Sequence, residues 1–404
     1  MNTELDVDLA TSSVREFEAG VESSFDVLDQ PLSYVQFFHR YILSNRPCLL
    51  KKGLIEHWSS RKDWIDGAGN PNMDFIESLV PKHQMVPVSM CDTQFFNSQK
   101  CEEMKMQEYQ DYWRKLCSSK SSTVSPKYLK DWHFYRDCPN YKAYETPEYF
   151  CSDWLNEFCE RDEAPQKDDY RFVYIGPAGS WTPLHFDVFG SFSWSANIVG
   201  QKHWILFPPD EKLHLCDPRG QLLYDVEDST TRGLPQMSQI RRRFDVIQNE
   251  GDVIFVPSLW IHQVRNVRPT ISINHNWFNG ANISVIVEEI LAALKDVQAE
   301  IQDCRVGSSD QEWDELCEKV LKGNHGMSVG DLICLLEYVG KRRVQCLEGT
   351  IQVSFDGRAL TQNHCTFDLI AIVKALKHIQ TNEISPKIHS STIAKLLTRF
   401  EPKI

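Results

Sequence analysis

His185 and Asp187 stand two residues apart in Trp181-Thr182-Pro183-Leu184-His185-Phe186-Asp187. On an extended strand, residues i and i+2 point to the same face, so an imidazole and a carboxylate reach one point. A third such group, His262, closes the segment Gly251-Asp252-Val253-Ile254-Phe255-Val256-Pro257-Ser258-Leu259-Trp260-Ile261-His262. Two neutral imidazoles and one carboxylate on one side of a divalent metal leave three positions open. That facial set is the one used by non-haem Fe(II) oxygenases, and its open positions suit a bidentate 2-oxoacid and O₂. A closed structural zinc site is disfavoured, because the cysteines include no C-x-x-C pair.

A lone H-x-D is more often an accident of strand alternation than a metal site. Its weight here comes from His262 and from Lys202, which opens the run His203-Trp204-Ile205-Leu206-Phe207. A lone lysine in that place is ordinarily solvated. Beside a metal triad, a buried cation suits the far carboxylate of 2-oxoglutarate, and the Thr182 hydroxyl is placed to join it.

These residues need a scaffold of strands. From about residue 170 the chain breaks into short β-branched or aromatic runs, each bounded by Gly, Pro or Asn: Tyr170–Ile175, His203–Phe207, Val253–Val256 and Thr270–Ile273. Such spacing predicts an all-β sandwich or barrel. Before it, residues 1–30 are polar and expected to be loose. A helix is expected over 34–43, a strand over 46–50, a short helix over 74–80, and a helix then a Ser-rich loop over 101–125. After Asn279-Gly280, apolar residues recur at helical spacing from Ile283 to Ile301. Further helices are expected at 311–322, 329–340, 367–379 and 391–400, with a small extended piece at 351–355. The divisions expected are 1–140 for supporting helices and strands, 141–280 for the catalytic β domain, and 281–404 for a helical lobe. That lobe offers a surface for self-association into a homodimer.

The balance of 43 basic against 56 acidic residues, a net −13, argues against a general nucleic-acid or membrane-surface binder. Arg241-Arg242-Arg243 and Lys341-Arg342-Arg343 are expected on solvated faces. The first residues have neither a basic nor an apolar region of a signal peptide, and no apolar run is long enough to span a membrane. With unpaired thiols these features predict a reducing interior, the cytoplasm first and the nucleus second. The acidic loop Asp225-Val226-Glu227-Asp228 is expected to be solvated, with a substrate ammonium as its functional alternative. His203 and His275 are expected to face away from the site and His214 to lie on the surface. Trp194, Trp204, Trp260 and Trp277 are expected to fill the core or wall the site.

His185-x-Asp187, Lys202 and His262, in this order and with these flanks, resemble the Jumonji C family of 2-oxoglutarate oxygenases. The resemblance is close over roughly 170–280 and looser at Arg46-Pro47 and Tyr128–His133. It implies a double-stranded β-helix (cupin, jelly-roll) core. It implies Fe(II) held by His185, Asp187 and His262, and 2-oxoglutarate held by Lys202 and Thr182. Asn274 and Asn276 fall near the metal-binding end of the oxoacid. One departure is Ser195, where related hydroxylases often have Asn; it leaves the contacts to the inner carboxylate open. The implied reaction couples conversion of 2-oxoglutarate and O₂ into succinate and CO₂ to hydroxylation of a substrate C–H bond. Within the family, the likeness implies C4 hydroxylation of a lysine in the eukaryotic translation release factor one. Two alternatives stay open: an Nε-methyl-lysine demethylase, and a non-catalytic cupin-type barrel that binds a partner.

Overall fold

The computed structural model describes residues 4–10, 24–51, 53–118, 125–161 and 169–404. In chain order its strands are β1 (Glu4–Leu5), β2 (Asp26–Leu28), β3 (Cys48–Leu50), β4 (Met85–Phe95), β5 (Ser98–Lys105), β6 (Lys127–Trp132), β7 (Arg171–Gly176), β8 (Trp181–His185), β9 (Phe192–Phe207), β10 (Phe244–Gln248), β11 (Val253–Val256), β12 (Ile261–Trp277), β13 (Ser354–Phe355) and β14 (Arg358–Leu360).

Two long strands organise the core. β9 and β12 pair antiparallel from Ile261↔Phe207 to Trp277↔Phe192, with register shifts between Asn266 and Ser272. There both strands bend. Gly200 takes φ +91°, and a Cβ on it would lie 2.0 Å from the Pro269 carbonyl oxygen, so the corner closes only around glycine. On one side of the bend β12 has β8 as its second neighbour and β9 has β10. On the other side the neighbours are β7 and β11. Two layers, β8-β12-β9-β10 and β7-β12-β9-β11, thus share their two central strands, as sheets joined through bent strands do. The result is the mostly β, jelly-roll core implied by the sequence. β3 and β2 extend it beyond β11, and β6, β4 and β5 beyond β7.

The flanking chain covers the outside. Aromatic residues from the N-terminal part, including Phe37, Tyr149 and Phe150, pack on Phe255, Trp194 and Trp277 of the barrel. The helices Ile283–Glu300, Asp310–His325, Val329–Leu347, Gln362–Thr381 and Ser390–Phe400 bury their own apolar faces together. Among the described residues, no helix is long and apolar enough to cross a membrane.

Three local expectations change. Residues 101–105 are strand: β5 keeps pairing with β4 as far as Met85↔Lys105, and the helix begins only at Met106. The Ser-rich residues 119–124 lie outside the described residues. The N-terminal stretch is anchored where described. Glu4–Leu5 pair in parallel with β14, Leu5 and Val7 are buried, and Asp26–Leu28 add a strand beside β3. Residues 11–23 lie outside the description.

The third change concerns Arg343, expected in solvent and found fully buried. Its guanidinium donates to both Glu157 carboxylate oxygens, at 3.0 and 2.8 Å, and to Asp368 at 2.6 Å. Trp154 Nε1 also donates to Asp368, at 3.2 Å, and Tyr34 meets the His364 ring at 2.9 Å. Burial alone would raise the Asp368 pKa, but His364 and Arg343 hold it below the ordinary value. Arg342 reaches the same Glu157 from the partly exposed side, at 2.7 Å. Removing one partner of such a buried set strands the rest. Arg343→Ala is therefore expected to cost about 3–5 kcal/mol of stability. Arg342→Ala should cost less than about 1 kcal/mol, both read by denaturant titration.

Candidate metal centre and cosubstrate pocket

The ladder itself builds the metal set. β8 runs antiparallel to β12 with His185 directly opposite His262, and their ring centroids are 4.2 Å apart. Asp187 follows two residues later, extended at φ −67°, ψ 154°. One ligand atom from each of the three lies within 4.8 Å of the others. Each imidazole is fixed through Nδ1 by the carbonyl two residues before it, His185 by Pro183 at 2.8 Å and His262 by Trp260 at 3.1 Å. A ring donating from Nδ1 presents Nε2 as its free electron pair, the tautomer a metal takes. Burial, then the neighbouring His262, push the His185 pKa down to about 3, so this ring is neutral. Ser193 donates to Asp187 Oδ2 at 2.7 Å and fixes the carboxylate.

Thr182 lies three residues before His185, and simple alternation would turn it away. The register slips between them: His185 and Thr182 on β8 match His262 and Val264 on β12. This bulge puts both on the cavity wall. Lys202 enters from β9, four residues along from Leu206, the partner of His262. Four residues span roughly 13 Å of strand, a gap that a lysine side chain and a five-carbon dicarboxylate together bridge. Lys202 is buried and donates to Ser272 Oγ at 2.6 Å. Its Nζ stands 5.7 Å from the Tyr174 ring centroid. Burial pushes its pKa down to about 7.

Asn274 donates to Ser272 Oγ at 3.2 Å and so belongs to the Lys202 group. Asn276 donates to Ser191 at 3.2 Å and pairs across the ladder with Ser193, as Asn274 does with Ser195. The Ser195 hydroxyl is buried with no hydrogen-bond partner among the described residues. All these residues except Ser191 and Ser272 line one cavity of about 350 Å³, within the range of small-ligand sites.

The other candidates fall elsewhere. His203 pairs with Asp245 at 2.9 Å near the surface. His275 points away from the cavity and is buried, held by the Tyr144 hydroxyl at 2.7 Å. The acidic loop is neither solvated throughout nor at the site. Val226 is buried, Asp225 accepts from Gln263 at 2.6 Å, and Glu227 pairs with Arg232 and Arg243. Trp204 lines the cavity beside His262; Trp194 borders it but packs on His275 and Phe150 in the core, and Trp260 and Trp277 are core. Sequence reasoning missed Ser193, Ser272, Tyr174 and Asp131. Ser193 and Ser272 were legible in principle, since they alternate with Ser195 and Asn274 on the same strand faces.

The residues fit the groups implied. Three ligands converge, held by Pro183, Trp260 and Ser193, and the buried Lys202 ammonium meets the Ser272 hydroxyl and the faces of Tyr174 and Trp204. An unpartnered hydroxyl opens on the same space. Comparison with known proteins agrees: residues 34–282 match the family described as cupin-like domain. The chain belongs to the JmjC-type, 2-oxoglutarate- and iron-dependent oxygenases of that cupin-like fold. It is 36% identical over 383 residues to 2-oxoglutarate and iron-dependent oxygenase JMJD4 of Danio rerio, covering 91% of this chain and 89% of the relative. For the Homo sapiens protein of that name the figures are 36% over 366 residues, 90% and 86%. Arginine-specific demethylase JMJ20 of Arabidopsis thaliana is 39% identical over 320 residues, covering 76% and 67%.

Two outcomes follow from the geometry. Ser193→Ala frees the Asp187 carboxylate and is expected to weaken metal binding about 10- to 100-fold, measured by equilibrium dialysis with Fe(II) under anaerobic conditions. The free protein loses the Lys202 charge as the pH rises through about 7. Binding a carboxylate there then requires proton uptake. The 2-oxoglutarate Kd is expected to rise by up to about tenfold per pH unit above that point, seen by anaerobic calorimetry. A Lys202→Met variant should bind more weakly and lose that dependence.

Proposed function

We propose that this oxygenase is a protein lysyl hydroxylase, acting at C4 of a lysine in the eukaryotic translation release factor one and so promoting termination in the cytoplasm. The observation that carries the reading is that the His185–Asp187–His262 set and buried Lys202 share one cavity, in a chain alike over nine-tenths of its length to JMJD4 oxygenases.

His185, Asp187 and His262 would hold Fe(II). Lys202 and Thr182 would take the far carboxylate of 2-oxoglutarate, with Asn274, Asn276 and Ser195 toward its inner end. When bound, the iron with 2-oxoglutarate and O₂ supplies the oxidising power, and 2-oxoglutarate leaves as succinate and CO₂. The chain's own groups orient and shield. Backbone carbonyls lock the imidazole tautomers, Ser193 aims the carboxylate, and Trp204 and Val264 exclude water from the wall.

Demethylation is the second reading, favoured by the Arabidopsis relative's name. The same oxidant serves both reactions. An oxidised N-methyl carbon collapses to formaldehyde, whereas an oxidised chain carbon keeps its hydroxyl.

The test is mass spectrometry of the release factor after incubation with the enzyme, Fe(II) and 2-oxoglutarate. The expected product is one added oxygen on one lysine, with succinate formed in step. Formaldehyde with succinate and no added oxygen would overturn hydroxylation in favour of demethylation. The His185→Ala/Asp187→Ala double variant is expected to fold, by circular dichroism, and to form no succinate; turnover equal to that of the unmodified enzyme would overturn the enzyme reading.

A further inference from the structure

We infer that Asp131 receives the cationic end of the substrate side chain, and that a bulge in β6 turns it into the cavity for that purpose. This rests on the reading that the target is a cationic residue of a protein.

β6 pairs with β7 through Leu129↔Ile175 and Trp132↔Val173. Three steps on β6 match two on β7, so Lys130 and Asp131 together oppose Tyr174. Strict alternation would send Asp131 to the same side as Leu129, which is fully buried. The extra residue lets Trp132 take that core position, 1% exposed, while Asp131 joins Tyr128 and Lys130 on the cavity wall. Asp131 makes the turn at φ +62°, a backbone conformation that Asp and Asn tolerate better than most residues. Bulges beside active sites commonly re-aim a side chain in this way.

The carboxylate is held but not used up. Tyr174 donates its hydroxyl to Oδ1 at 2.6 Å. Lys130 Nζ stands 3.9 Å from Oδ2, and the Asp131 side chain keeps 48% of its surface open. Among the described residues lining the cavity, the other carboxylate is Asp187, which belongs to the metal set. The wall near Asp131 is aromatic, with Tyr170, Phe172 and Tyr174, and such faces suit the methylenes and the charge of a cation. Tyr174 joins the two halves of the site: its hydroxyl grips Asp131 while its ring stands 5.7 Å from Lys202 Nζ. The cosubstrate's anion and the substrate's cation are thereby assigned to opposite parts of one tyrosine.

A lysine ammonium and an arginine guanidinium share the chemistry required. Asp131→Asn keeps an acceptor for Tyr174 and tolerates the positive φ, and its melting temperature should stay within about 2 °C of the unmodified protein. Three peptides carrying the release-factor sequence, with lysine, arginine or norleucine at the target position, are titrated anaerobically onto the protein with Fe(II) and 2-oxoglutarate bound. The unmodified protein is expected to bind one or both cationic peptides about 10- to 100-fold more tightly than the norleucine peptide, and Asp131→Asn to bind all three alike. Discrimination retained by the variant, or absent from the unmodified protein, would overturn the assignment. Admitting O₂ and locating the added oxygen separates the two readings. Product on arginine alone, with discrimination lost in the variant, overturns the lysine substrate and leaves Asp131 in its role.

Discussion

The pairing of β9 with β12 is the constraint on which the site depends. Side chains alternate along a strand, so a slip of one residue would turn His262, Asn274 and Asn276 out of the cavity together. Their register is fixed at the corner, where Gly200 meets the Pro269 carbonyl so closely that no other residue fits. Because both strands cross the bend, one ladder serves both layers. The candidate metal ligands and the residues proposed to hold the oxoacid are therefore set by the same run of backbone hydrogen bonds, and a rigid strand scaffold holds a constellation more tightly than loops would.

The site keeps polar groups short of partners in a buried space. Among the described residues, the Lys202 ammonium donates to one hydroxyl and Ser195 Oγ has no partner, while His185 is kept neutral. A metal at the three ligands and a dicarboxylate at Lys202 would meet these groups together.

Much of this was legible in the residues, and the exceptions share a cause. His185 and Asp187 obey simple alternation, and the barrel strands announce themselves as short apolar runs between turn residues. Thr182 and Asp131 face the cavity only because β8 and β6 each carry an irregularity, and a bulge leaves no periodic mark. Thr182 was read into the site by its nearness to His185 in the chain, although strict alternation turns it away. The 101–105 segment has a helix-friendly composition, and tertiary pairing with β4 overrode it. Arg343 sits in a basic triplet that reads as surface, and its burial depends on Glu157 and Asp368, far away in the sequence. The loop 225–228 looked free because two of its partners, Arg243 and Gln263, lie further along the sequence.

The Arg343 cluster also constrains how this chain can diverge. Its charges come from the barrel's approach segment at Glu157, from the helix bearing Arg343, and from the helix bearing Asp368. A change at any one leaves the others buried and unbalanced, so the neutral route to an apolar replacement passes through variants less stable than either end. Exchange of the helical lobe with that of another barrel meets the same barrier, unless the incoming lobe brings a matching cation. The lobe is thus inherited with the barrel as a unit, held by electrical neutrality as well as by shape.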